Sequence, residues 1–218
     1  DITENEDDGS VDLNVASSEK TMENWITELV LGPDNEVSDL EQNPVYTLTT
    51  DNDGLFAVLP TISPSGTLTY QPTHNLYGTA TIQIVLNDNG GTDFGGDDEF
   101  TDSFTITVNP VNDEPYFTIG ADITENEDDS SSDPLVGSSA KLHSSWATEI
   151  VLGPENEVSD LGQTATFDIT TTNDALFAIL PQINEDGDLA YQIAQNKFGN
   201  AQISIVLIDN GGTDFGGD

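Results

Sequence analysis

The feature that most constrains this chain is a repeat almost as long as a domain. The segment DITENEDD at Asp1–Asp8 returns unchanged at Asp122–Asp129, an offset of 121 residues, and that offset holds to the last residue without a gap. WITELVLGPDNEVSDLEQ from Trp25 recurs as WATEIVLGPENEVSDLGQ from Trp146. NDGLFAVLP from Asn52 recurs as NDALFAILP from Asn173. A period this long exceeds that of solenoid repeats and matches a whole folding unit, so each copy must bury its own core. The stretch NPVNDEP, Asn109–Pro115, reads as the junction, because its two prolines lack ladder donors and favour extended backbone. The expected modules are therefore residues 1–111 and 112–218.

Charge narrows the partners. Forty-one Asp and Glu face three Lys and Arg, for a formal net charge of −38. Such a surface repels nucleic acid and anionic membrane and attracts cations. Hydrophobic residues still make up 35% of the chain, with nine Phe, five Tyr and two Trp, enough for two small cores. Cysteine is absent, so neither disulfides nor thiolate metal sites can brace them. No apolar run is long enough to span a bilayer.

Within a module, short runs rich in Thr, Val, Ile, Tyr and Phe alternate apolar with polar residues, as at Val45–Thr49, Thr67–Tyr70, Thr81–Leu86 and Phe104–Val108. Turn residues separate them at Asp53-Gly54, Ser65-Gly66 and Asn89-Gly90. The expected fold is all-β: tandem antiparallel Greek-key β-sandwiches, with no helix. Trp25, Trp146, Tyr70 and Tyr191 are expected in the cores. The phase of the repeat leaves each module without one outer strand. Module 2 has a strand, Pro115–Ala121, ahead of its DITENEDD segment, and module 1 has one, Phe100–Asn109, after its FGGD loop.

With junction, glycine pairs and tryptophan in place, the chain resembles the bacterial cadherin-like and tandem Ig-like repeats of very large adhesins and biofilm-matrix proteins. VNDEP at Val111–Pro115 is similar to the linker of those repeats and to the DxNDNxP linker of cadherins. ITENED at Ile2 and Ile123 resembles the cadherin ENxP motif, and LNDNGG and LIDNGG at Leu86 and Leu207 resemble the AxDxG loop. The DRE motif is missing, and Glu114 stands where cadherins place a second Asn. The resemblance implies an extracellular location, on a bacterial cell surface or in a secreted matrix, and a role in adhesion or biofilm architecture.

Calcium needs six to eight oxygens, roughly, supplied by clustered Asp, Glu, Asn and carbonyl groups. Three acidic clusters recur at the same phase: ENEDD, the loop of Glu36 and Asp39 with its copy Glu157 and Asp160, and DNGGTDFGGD. The expected ligands in module 1 are Glu4, Glu6, Asp7, Glu36, Asp88 and Asp93, with Asn112 and Asp113 in the linker. Those in module 2 are Glu125, Glu127, Asp128, Glu157, Asp209 and Asp214. The first strand should carry Glu4, Glu6 and Asp7 toward the linker, where Asp209, Asp214 and Glu157 complete a composite calcium site. Two carboxylates 4 Å apart repel by about 1 kcal/mol in water and about 4 kcal/mol at an effective dielectric of 20, so an uncompensated junction would splay.

Catalysis has no foothold. His74 and His143 align with Gln195 and Met22, so the modules share no histidine, and without cysteine the Ser-His-Asp, Cys-His and zinc chemistries lack a partner. The sequence points to a calcium-rigidified extender whose partners are the adjacent modules of the same chain. Two other readings stand beside it. One is a self-assembling fibre in which identical chains exchange strands. The other is a calcium-assisted carbohydrate-binding module, which would need exposed Trp or Tyr beside the ion to hold a glycan.

Overall fold

A computed structural model describes residues 1–32, 42–93, 96–160 and 162–217. The chain forms two compact units: Asp1–Asn112 together with Thr213–Gly217, and Asp113–Gly212. Both are all-β, in keeping with the alternating Thr/Val/Ile runs.

The first unit contains β1 (Ile2–Asn5), β2 (Lys20–Met22), β3 (Val45–Thr50), β4 (Phe56–Ile62), β5 (Leu68–Pro72), β6 (Gly78–Asn87) and β7 (Glu99–Asn109). They form two sheets, ordered β1-β7-β6-β3 and β2-β5-β4. The long β6–β7 ladder is antiparallel and pairs Gly78 with Val108 and Asn87 with Glu99. Side chains alternate across it, so Ala80, Ile82, Ile84, Phe104, Ile106 and Val108 face inward to meet Leu55, Phe56, Ile62, Leu68 and Tyr70 of the other layer. Trp25 packs on this core with its ring 4.5 Å from that of Phe104. The sandwich departs from the expected antiparallel pattern at one edge. There β1 pairs β7 in parallel, Ile2 with Ile106 through Asn5 with Asn109. Ile2 thereby docks on the core, and the acidic residues after β1 arrive beside the chain leaving β7.

The second unit contains β8 (Tyr116–Thr118), β9 (Lys141–His143), β10 (Thr148–Val151), α1 (Glu155–Asp160), β11 (Thr166–Thr171), β12 (Phe177–Ile183), β13 (Leu189–Ile193) and β14 (Ile203–Ile208). Its sheets are β12-β13-β9, β11-β14 and β10-β8. Ala147, Ile183, Leu189 and Tyr191 form the buried core, flanked by Phe117, Trp146, Phe167 and Phe177. The indole of Trp146 donates to the Ala121 carbonyl at 3.0 Å. The six-residue helix α1 corrects the expectation of no helix. Its Pro154 carbonyl accepts from the Glu157 and Val158 amides, and two acids in its first turn suit the positive end of the helix.

The two units differ at two edges. β10 pairs with β8, whereas the matching Thr27–Val30 of the first unit carries no strand, and Val30 is 74% exposed. β6 lies between β3 and β7, whereas β14 pairs only with β11 among the described residues, and Val206 and Ile208 are exposed.

One turn is fixed by glycine in both copies. Gly66 and Gly187 close the turns beginning at Ser63 and Asn184 and lie at φ +81° and +79°. Their carbonyls accept from the Ile26 and Ala147 amides. A Cβ at Gly187 would run into the Ala147 carbonyl, whereas one at Gly212, at φ +87°, meets nothing within 4 Å. Gly187→Ala should therefore cost roughly 2 kcal/mol or more and Gly212→Ala only about 1 kcal/mol. Urea melts of the two variants measure the difference.

Candidate functional site

The ENEDD segment is a left-handed turn bracing each unit from within. Asp7 and Asp8 lie at φ +50° and +57°, and Asp128 and Asp129 at +49° and +52°, a region that short acidic side chains tolerate better than most. Both oxygens of Asp7 accept from the Asn75 amide, at 3.3 and 3.1 Å, and the Asp7 amide donates to Ser17 Oγ at 2.7 Å. The second unit repeats this with Asp128, Asn196 and Ser138 at 3.1, 3.2 and 2.9 Å. Burial, opposed by these hydrogen bonds, raises the pKa of Asp7.

The next aspartate in each copy binds a lysine. Asp8 pairs with Lys20 and accepts from the Ser18 amide; Asp129 pairs with Lys141 at 2.6 Å and accepts from the Ser139 amide at 2.8 Å. The Lys141 hydrogen bond holds the Asp129 pKa down at about 2. Glu4 and Glu125 complete these clusters, 3.5 and 3.7 Å from the same ammonium groups. In the second unit Tyr191 donates to Glu125 at 3.4 Å, and burial together with the Glu125 charge pushes the tyrosine pKa to about 12. Sequence reasoning missed this role. The signal was available: two of the three basic residues recur at one phase, twelve positions after the second aspartate and just behind a Ser-Ser pair.

Glu6 turns the other way. It is 1% exposed, and its Oε1 accepts from the Val111 amide at 2.9 Å, so in the first unit it lies beside Asn112, which is 6% exposed. The parallel β1–β7 pairing makes that approach possible. Its counterpart Glu127 is exposed.

In the second unit α1 carries Glu157 inward to complete burial. Its Oε2 accepts from the Asp113 amide at 3.3 Å and from Gln163 at 3.4 Å. Its Oε1 is buried with no hydrogen-bond partner. Asp113 is 3% exposed and Asp209 half-buried. Burial first, and then the charges of Asp113 and Asp209, push the Glu157 pKa up to about 7. Gly153, at φ +148°, lies against the carboxylate so closely that a Cβ there would collide with Oε2. A buried acid with a free oxygen and two like-charged neighbours suits a hard cation, which would supply the missing counter-charge through oxygen ligands.

Three further expected ligands lie in the Gly-rich loops. Asp88 is half-buried and accepts from the Gly90 amide at 2.7 Å, Asp93 is exposed, and Asp214 is exposed in a helical turn. Glu36 falls outside the described residues. Among the described residues, no three Asp, Glu or His side chains converge as a ready-made metal cage. Tyr70 and Tyr191 are buried, and Trp25 and Trp146 are half-buried.

No family model matches the chain, and no curated protein matches it. Among solved structures, the human desmocollin-1 ectodomain is similar over 95% of this chain and 34% of its own, at 16% identity and a TM-score of 0.30. The chain thus spans about a third of that structure's length, and a likeness this low carries no argument about what the two units do.

Proposed function

We propose that this chain is a calcium-stiffened spacer from a large extracellular adhesin or matrix protein of a bacterium, in which two like modules extend a stalk and catalyse nothing. The observation that carries the reading is Glu157. It is a fully buried carboxylate with one oxygen unpartnered and with Asp113 and Asp209 acting on it as like charges. Proteins rarely retain such a group without a compensating cation. The calcium-ligating candidates on this reading are Glu157, Asp113 and Asp209 in the second unit and Glu6 and Asn112 in the first. Glu4 and Asp8 instead share Lys20, and Glu125 and Asp129 share Lys141. The repeat itself supports a spacer, since both modules keep the same internal bracing.

Calorimetry tests it. At free calcium about one hundred times its dissociation constant, one site adds about 2.7 kcal/mol, so the melting temperature should rise by several degrees over chelator-treated protein. Glu157→Gln should weaken calcium binding at least tenfold in titration calorimetry. An unchanged melting temperature with and without chelator would sink the reading.

A further inference from the structure

We propose that Asn89 and Asn210 are sites of spontaneous chemical modification, converting through a cyclic imide to aspartyl and isoaspartyl residues. Each is followed by glycine, and these are the chain's two Asn-Gly steps. Glycine matters because its amide nitrogen has no Cβ beside it to obstruct attack on the asparagine side chain.

The surroundings supply both forms of assistance that this reaction uses. The nucleophile is the glycine amide nitrogen. The Gly90 N–H points at Asp88 Oδ1 at 2.7 Å and the Gly211 N–H at Asp209 Oδ1 at 2.9 Å, so a carboxylate sits where a general base must receive the proton. The electrophile is the asparagine side-chain carbonyl. Asn89 Oδ1 accepts from the Asn43 amide at 2.7 Å, while Asn210 Oδ1 accepts from the Thr164 amide at 2.6 Å and the Thr164 hydroxyl at 3.3 Å. Those donors polarise the carbonyl and hold the negative charge that develops on its oxygen. Nitrogen and carbon are joined through only two intervening backbone atoms and the Cβ, so they meet without any loop closure.

The step balances within the loop. The glycine nitrogen gives its proton to the aspartate and bonds to the asparagine Cγ, the Cγ–Nδ2 bond breaks, and ammonia leaves with the proton returned by the aspartate. Water then opens the imide at either carbonyl, leaving an aspartyl or an isoaspartyl residue. Each event adds one negative charge to a loop already rich in carboxylates. The chemistry needs no bound cation, and because Asp209 is also a calcium-ligating candidate it is followed in chelator.

Incubation of the folded full-length chain at neutral pH and 37 °C in chelator, followed by intact-mass and peptide mapping, tests the proposal. Each conversion adds about 1 Da. Asp209→Asn keeps an oxygen to accept the glycine N–H but removes the base, and should slow Asn210 roughly tenfold or more in the folded chain while leaving Asn89 unchanged. In urea, where the loop is gone, the variant and the parent should convert alike. Thr164→Val removes the hydroxyl donor and should slow Asn210 while leaving Asn89 unchanged. Intact asparagines in the folded protein while the urea-treated chain converts would overturn the proposal. So would an Asn210 rate in folded protein that Asp209→Asn and Thr164→Val leave unchanged.

Discussion

Replacing Tyr70 by alanine is expected to cost the first unit about 3 to 5 kcal/mol, the range for deleting a fully buried aromatic side chain. Tyr70 is 0% exposed and meets Phe56 edge to face with ring centroids 6.1 Å apart. Its ring fills the layer between β5 and the inward row of β6 and β7. For a unit of this size the loss should lower the melting midpoint by roughly 15 °C or more. Tyr70→Phe keeps the ring and gives up only the hydroxyl near Glu4, so it should cost less than about 1.5 kcal/mol. Denaturant melts of the two variants separate the ring from the hydroxyl. A cost below about 1 kcal/mol for the alanine variant would mean that Tyr70 does not hold the two layers together.

The repeat, its phase and most strands are legible in the sequence because they are written in period-two alternation. Val45–Thr49, Thr67–Tyr70, Thr81–Leu86 and Phe104–Val108 all fall within or against β3, β5, β6 and β7. The parallel edge pairing of β1 is not legible, since alternation specifies which face is buried and says nothing of the neighbour's direction. Nor is α1, which at six residues is too short to show an apolar stripe.

The site divides in the same way. Recurrence marks ENEDD as important but not what its acids face. Asp7 turns to a backbone amide, Asp8 to Lys20 and Glu6 to the chain after β7, because the left-handed turn sends successive side chains in different directions. The recurring acidic clusters suggested ligation for Glu4, Glu6 and Asp7. Geometry gives Asp8 a lysine and Asp7 a backbone amide within their own unit, whereas the buried Glu157 keeps one oxygen without a hydrogen-bond partner.

That difference predicts an unusual response to pH in calcium-free protein. The Glu157 pKa is raised from its ordinary 4.5 to about 7 in the folded state, so between these values the native chain binds more proton than the unfolded one. Stability must then fall as pH rises through this window. The contribution is fully present below pH 4.5 and lost above 7, amounting to roughly 3 kcal/mol at the rate of 1.36 kcal/mol per pH unit. Glu157→Gln leaves the fold without the buried charge and should abolish the slope, making the variant more stable than the parent at pH 8 in chelator. Calcium should reverse the ranking, since a cation stabilises the ionised carboxylate and finds a weaker ligand in glutamine. Chemical denaturation of both proteins at pH 5 and pH 8, with and without calcium, gives the four comparisons needed. If the parent is as stable at pH 8 as at pH 5 in chelator, Glu157 is not held near neutrality. If the slope is present but calcium leaves it unaltered, the buried acid is a strained structural group and the cation belongs elsewhere.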